Sequence, residues 1–154
     1  MSELAFISPG AAPLVSPLAR TLAGAAGIGD LSLLGKLEVR NADPGVLPDG
    51  ASLIRISPER VLVLCPEGER AALKDVLPGF VVDLTAALAG IRVEGEPLLR
   101  RLTDLELDRL PAAGKVAGVP ALVTRDGERF DIFFAQEYGA SVVELVRDVQ
   151  EGLA

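Results

Sequence analysis

The spacing of apolar and polar positions changes period several times along the chain, and each change predicts an element. Residues 31–40 (LSLLGKLEVR) end in strict alternation. Leu37 and Val39 fall on one face and Lys36, Glu38 and Arg40 on the other, which predicts a half-buried strand. The segments ASLIRIS and RVLVLC, joined by Ser57-Pro58-Glu59, predict a hairpin. PALVTR and RFDIFF around Asp126-Gly127 predict a second, because Asp-Gly between apolar runs favours a tight turn. Residues 80–95 gather β-branched residues at both ends (VVD and IRV) and predict one long strand, bent near Ala89-Gly90.

Helical periods fill the gaps. Ser16-Pro17 is a good helix start, with a capping hydroxyl followed by a first-turn proline. Leu18, Leu22, Ala25 and Ala26 would share a face there, with an end by Gly27. In residues 67–77, Ala72, Leu73, Val76 and Leu77 share a face, and Pro78-Gly79 ends the run. Pro97 opens a short helix with Leu98, Leu99 and Leu102 buried. The clearest helix is the last, with Tyr138, Val142, Leu145, Val146, Val149 and Leu153 at a 3.6-residue period. Residues 41–50 (NADPGVLPDG) read as a turn-rich loop. The order is strand, hairpin, helix, then strand, helix, hairpin, helix. This is an α+β chain with an antiparallel sheet and helices on one side. Residues 1–15 are expected to be poorly ordered, and residues 16–154 to form a single domain.

Composition narrows the chemistry. The chain has 154 residues and no histidine, which removes the usual general base and metal ligand. One cysteine, Cys65, excludes an internal disulfide and a cysteine metal cluster, and its place at a strand end suggests an inert core thiol. The net charge of −7, with few aromatic residues, argues against a nucleic-acid groove. No apolar run approaches the ~18 residues of a membrane span, and no basic secretory start is present, so a cytoplasmic location is expected. AGAAGIG (residues 23–29) is glycine-rich, but no strand leads into it and it reads as a helix end rather than a phosphate loop. Asp104, Glu106 and Asp108 alternate with leucines, as an acidic edge facing water does, although carboxylates so spaced also suit a metal. Arg100 and Arg101 fall on the wet side of their helix, where they also suit a partner's carboxylates. Asp83, at the end of an apolar run before Thr85, is placed to bond turn N–H groups or to contact a ligand.

One stretch carries a resemblance. FVVDLTAALAGIRVEGEPLLRRLTDLELDRLP (residues 80–111) is similar to a pattern in the folate-binding domain of the aminomethyltransferases, the glycine-cleavage T-protein family. Asp83-Leu84-Thr85 stands for that family's Asp-Val-Ser segment, Gly95-Glu96-Pro97 for its corner, and Leu107-Asp108 to Leu110-Pro111 for its close. The chain more nearly resembles the small gamma subunit of heterotetrameric sarcosine oxidase. Ser16-Pro17-Leu18-Ala19, the strand after Asp30-Leu31, and Ile56-Ser57-Pro58-Glu59-Arg60-Val61-Leu62-Val63-Leu64 carry that likeness over residues 16–150. The usual tryptophan is absent, and the loop at 41–51 is shorter than usual.

The resemblance implies two ferredoxin-like units sharing an antiparallel sheet, in one folate-binding-domain-like unit. It implies a non-catalytic accessory subunit of one-carbon (sarcosine) catabolism, assembling with larger subunits that carry flavin, NAD and tetrahydrofolate, with no cofactor in this chain. The alternative is a stand-alone tetrahydrofolate-binding, aminomethyltransferase-like protein. In that case Asp131 of Arg129-Phe130-Asp131 stands where the family places its pterin-binding carboxylate. Thr124 stands where the family has a tyrosine, and Asp83 is a further candidate contact. A third reading is a self-associating α+β protein with no small ligand.

Overall fold

The computed structural model describes residues 15–154, so the order expected of the first residues lies outside the described part. Among the described residues, nine strands form two antiparallel sheets. The first elements are β1 (Gly29–Asp30), β2 (Gly35–Arg40), β3 (Ser52–Ser57), β4 (Arg60–Cys65), α1 (Arg70–Val76) and β5 (Phe80–Asp83). Then come β6 (Leu88–Glu94), α2 (Glu96–Leu102), β7 (Ala112–Val116), β8 (Val119–Asp126), β9 (Arg129–Ala135) and α3 (Gly139–Leu153). The four-stranded sheet runs β3-β4-β2-β5, and the five-stranded sheet runs β1-β6-β9-β8-β7.

Both orders are ferredoxin-like. In the four-stranded sheet, β2, β3, β4, α1 and β5 supply the unit, and the loop at 41–51 occupies the place of its first helix. In the five-stranded sheet, β6, α2, β8, β9 and α3 supply all but the closing strand. Its place beside β6 is taken by β1, from the other end of the sequence. The expected duplication is present, but each unit has its own sheet rather than a share in one. The two sheets meet face to face through Ile54, Leu62, Leu64 and Phe133, with Leu31, Leu34, Leu84 and Leu122 around them. The helices lie on the outer faces. α2 and α3 cover Ile91, Val93, Phe130, Ile132 and Phe134, and α1 covers Leu37, Val39, Val61 and Val63 through Leu73.

Four expectations need correction. The helix expected from Ser16 is a run of turns. The Ser16 hydroxyl does accept from the Leu18 N–H (3.1 Å), but Gly24 and Gly27 take left-handed φ values of 75° and end any helical run. The single strand over 80–95 is two strands in different sheets. The break is the turn after Asp83, where the Leu88 and Ala87 N–H groups bond the Leu84 carbonyl (both 3.0 Å). Gly90 lies inside β6 instead, because a Cβ there would stand 2.8 Å from the Phe133 ring. β7 was not expected at all, since AAGKV offers little strand character. Finally, the buried stripe of α3 runs through Val142, Val143 and Val146, leaving Leu145 and Leu153 exposed, and on α1 Val76 is likewise exposed.

β2 departs furthest from expectation. Its alternation is as predicted, but both faces are buried. Lys36 and Glu38 point between the sheets and have no exposed surface. A charge in such a place is tolerated only with partners for its hydrogen bonds.

Candidate functional site

Lys36 sits where the chain crosses between sheets. It crosses twice, through residues 31–34 and again through 84–87. The Lys36 ammonium donates to the Ser32 carbonyl (2.6 Å) and the Leu34 carbonyl (3.0 Å) of the first crossing, and to the Thr85 carbonyl (3.4 Å) of the second. Its three N–H groups are thereby used. Burial is the main cause that lowers its pKa to about 8; the carboxylates of Asp30 and Asp83 work against that fall, and Arg70 adds to it. Ser32 extends the stitch, its hydroxyl accepting from the Gly90 N–H at 3.1 Å. Thr85 extends it too, its hydroxyl accepting from the Lys36 N–H at 3.0 Å.

Glu38 lies one turn of the pleat further along. Its Oε2 accepts from Arg40 Nε (2.6 Å), and its Oε1 accepts from Arg60 Nε (2.9 Å) and from an Arg60 Nη. Arg40 and Arg60 are register partners across β2 and β4, so the pairing places two guanidinium groups over one buried carboxylate. Both arginine side chains remain nearly half exposed.

Glu38 and Arg60 form one end of a cleft of about 670 Å³ between the sheets. The rest of its lining is mostly apolar. From the four-stranded side come Ile56 and, from the crossover, Leu84. From the five-stranded side come two cross-strand rows: Phe133, Leu122 and Ala113, then Leu88, Ala135, Pro120 and Lys115. Glu137 and Tyr138 stand at the rim. Sequence reasoning missed this cleft. The one available signal was the pair of charged residues inside an otherwise apolar strand, Lys36 and Glu38.

The residues singled out from the sequence fall in two separate places. Asp131 and Thr124 are register partners on β9 and β8, so the structure brings them together. Asp131 is also paired with Arg92 on β6, which grips it with Nε–Oδ1 2.7 Å and Nη2–Oδ2 2.9 Å. The hydrogen bond to that carboxylate is the chief cause that raises the Arg92 pKa above its ordinary value. Both Asp131 oxygens therefore already accept from a cation, and the neighbouring Thr124 offers a hydroxyl and no aromatic face. Asp83 lies apart, in the other sheet. It is the register partner of Leu37 and so lies on the face covered by α1. Its Oδ1 accepts from the Thr85 N–H (3.0 Å), and Arg70 stands 3.7 Å away. Burial pushes its carboxyl up, but the Thr85 hydrogen bonds and the charges of Arg70 and Lys74 outweigh that and hold it below the usual range.

The other candidates are dispersed. Asp104, Glu106 and Asp108 are exposed, and among the described residues no three acidic, His or Cys side chains group as a metal site. Cys65 is buried, and burial raises its thiol pKa. Arg100 pairs with Glu96 on its own helix, and Arg101 is exposed. No helix among the described residues is long and apolar enough to cross a membrane.

No family model and no curated protein matches the sequence. Solved structures do match. A chain of the heterotetrameric sarcosine oxidase from Corynebacterium sp. U-96, in complex with pyrrole 2-carboxylate, superposes with a TM-score of 0.74 at 20% identity. That match covers 90% of this chain and 95% of the other. The ligand-free regulatory subunit of aspartate kinase from Thermus thermophilus matches at TM-score 0.50 and 8% identity, over 80% of this chain and 97% of that one. At these identities the likeness is one of fold. The chain has the α+β fold of a sarcosine oxidase subunit, with ferredoxin-type units.

Proposed function

We propose that this chain is a non-catalytic accessory subunit of the sarcosine oxidase gamma type, which assembles with larger subunits carrying flavin and folate. The observation that carries the reading is the end-to-end likeness to a chain of a heterotetrameric complex, covering nearly all of both chains. The resemblance at residues 16–150 points the same way. So does the chemistry of the described residues. The buried ionisable groups, Lys36 and Glu38, are taken up in holding strands and crossovers together, with their hydrogen bonds internal. The Arg92 grip on Asp131 also leaves that carboxylate without an obvious claim on a pterin.

The test uses the purified chain alone, with tetrahydrofolate in a thermal-shift titration and with sarcosine or an aminomethyl donor in a turnover assay. The expected result is no turnover and no tetrahydrofolate shift that depends on Asp131. A saturable shift lost in Asp131→Ala, or turnover by the chain alone, would instead establish the tetrahydrofolate-binding, aminomethyltransferase-like alternative.

A further inference from the structure

Protein interiors leave few voids larger than a water molecule, whereas the space between these sheets matches the size of ordinary small-molecule sites, about 300–1,000 Å³. Two features of its lining point to one kind of occupant. The walls are apolar and broad: Leu84 on one side, Leu88, Leu122 and the Phe133 ring on the other. Gly90 keeps the Phe133 ring where it is, since any side chain at that position would displace it.

The second feature is charge. The chain carries a net charge of −7, and this cleft pairs two carboxylates, Glu38 and Glu137, with two cations, Arg60 and Lys115, that keep donors to spare. Lys115 lines it and makes no ion pair among the described residues. Arg60 lines it too. Its Nε and Nη2 serve Glu38, while Nη1 has no hydrogen-bond partner among the described residues. Both Glu38 oxygens already accept from arginines, Oε2 from Arg40 outside the cleft and Oε1 from Arg60, so this carboxylate is engaged while Arg60 Nη1 is open. Glu137, at the rim and exposed, is the carboxylate of the lining that makes no ion pair among the described residues.

We propose that the cleft between the two sheets binds a small amphipathic anion: an apolar body carrying one carboxylate. The body lies between Leu84, Leu88, Leu122 and Phe133, and the carboxylate meets Lys115 and the open Nη1 of Arg60. The cations supply orientation, and the apolar walls supply most of the binding. This site belongs to the chain itself and does not depend on the subunit reading.

The test titrates naphthalene-2-carboxylate into the purified chain by calorimetry and by methyl NMR. Saturable binding with a Kd of about 1 mM or tighter is expected, with shifts concentrated on Ile56, Leu84, Leu88 and Leu122. Lys115→Glu, on an exposed edge position, should weaken it by at least about tenfold. Ala113→Trp, which fills the cleft, should abolish it. The amine with the same ring system, 2-naphthylmethylammonium, should bind at least about tenfold more weakly than the carboxylate. Absence of binding at concentrations well above that Kd would overturn the proposal. So would unchanged affinity in Lys115→Glu, equal affinity for the amine, or shifts away from the cleft. Lys115→Glu stands as a test even if Ala113→Trp does not fold.

Discussion

Arg92 and Asp131 face each other across β6 and β9 and are joined by two parallel hydrogen bonds of 2.7 and 2.9 Å. This fork is the geometry in which an arginine–carboxylate pair is strongest. It ties the central pair of the five-stranded sheet on the face turned away from α2 and α3. The carboxylate that the family resemblance offers as a candidate folate contact, and that reads from the hairpin alone as a charged face residue, makes a cross-strand ion pair in the fold.

Asp131→Ala should therefore cost stability. Arg92 is well exposed and solvent screens the pair, so the loss is about 1 kcal/mol. Urea denaturation should show a lower midpoint with an unchanged slope. A midpoint equal to that of wild type would mean that the pair contributes nothing.

Glu38→Gln removes the charge that holds Arg40 and Arg60 in register and leaves two guanidinium groups facing each other. The expected cost is about 2 kcal/mol, below the full value for a dry pair because both arginines reach solvent. Arg60→Ala in the same background should then cost less than in wild type, since its partner is already gone. Additive losses would show that the three groups do not act together.

Lys36 makes a prediction in pH. Its folded pKa, about 8, lies below the ordinary 10.5, so the unfolded chain holds the proton over a range where the folded chain has released it. Stability therefore rises with pH across that window. Below pH 8 the buried charge carries a penalty of roughly 3 kcal/mol, which is relieved as pH climbs toward the unfolded value. The unfolding free energy of wild type, minus that of Lys36→Met, should increase by about 2 kcal/mol between pH 8 and pH 10. A flat difference would mean that the ammonium is not held as the geometry indicates.

Lys36 and Glu38 also show how far the sequence could be read. Their alternation with Leu37 and Val39 placed them correctly on one face of a strand, and both hairpins and three helices followed from the same kind of pattern. What lay on the other side of that face could not be read. Period-two alternation signals a wet face and a dry one, and burial of the polar face requires a second sheet built from residues far along the chain. The same limit applies at Thr85. Residues 80–95 are β-prone at both ends, which reads as one strand with a bend, and only the hydrogen bonds of Asp83, Thr85 and Lys36 reveal that the chain changes sheets there. β1 is too short for any periodicity, and its role as the closing strand beside β6 depends on topology alone. Asp131 and Thr124 were legible as a pair because β8 and β9 form a simple hairpin, but Arg92 came from β6, outside it.

The subunit account is tested most directly by the mass and spectrum of the chain isolated from its native source. A tagged copy, purified under mild conditions and sized by light scattering, should elute in a complex with larger polypeptides. That complex should carry flavin absorbance and oxidise sarcosine or a related secondary amine. Elution only as the chain itself or as its own oligomers, with no flavin and no larger partner, would contradict the account.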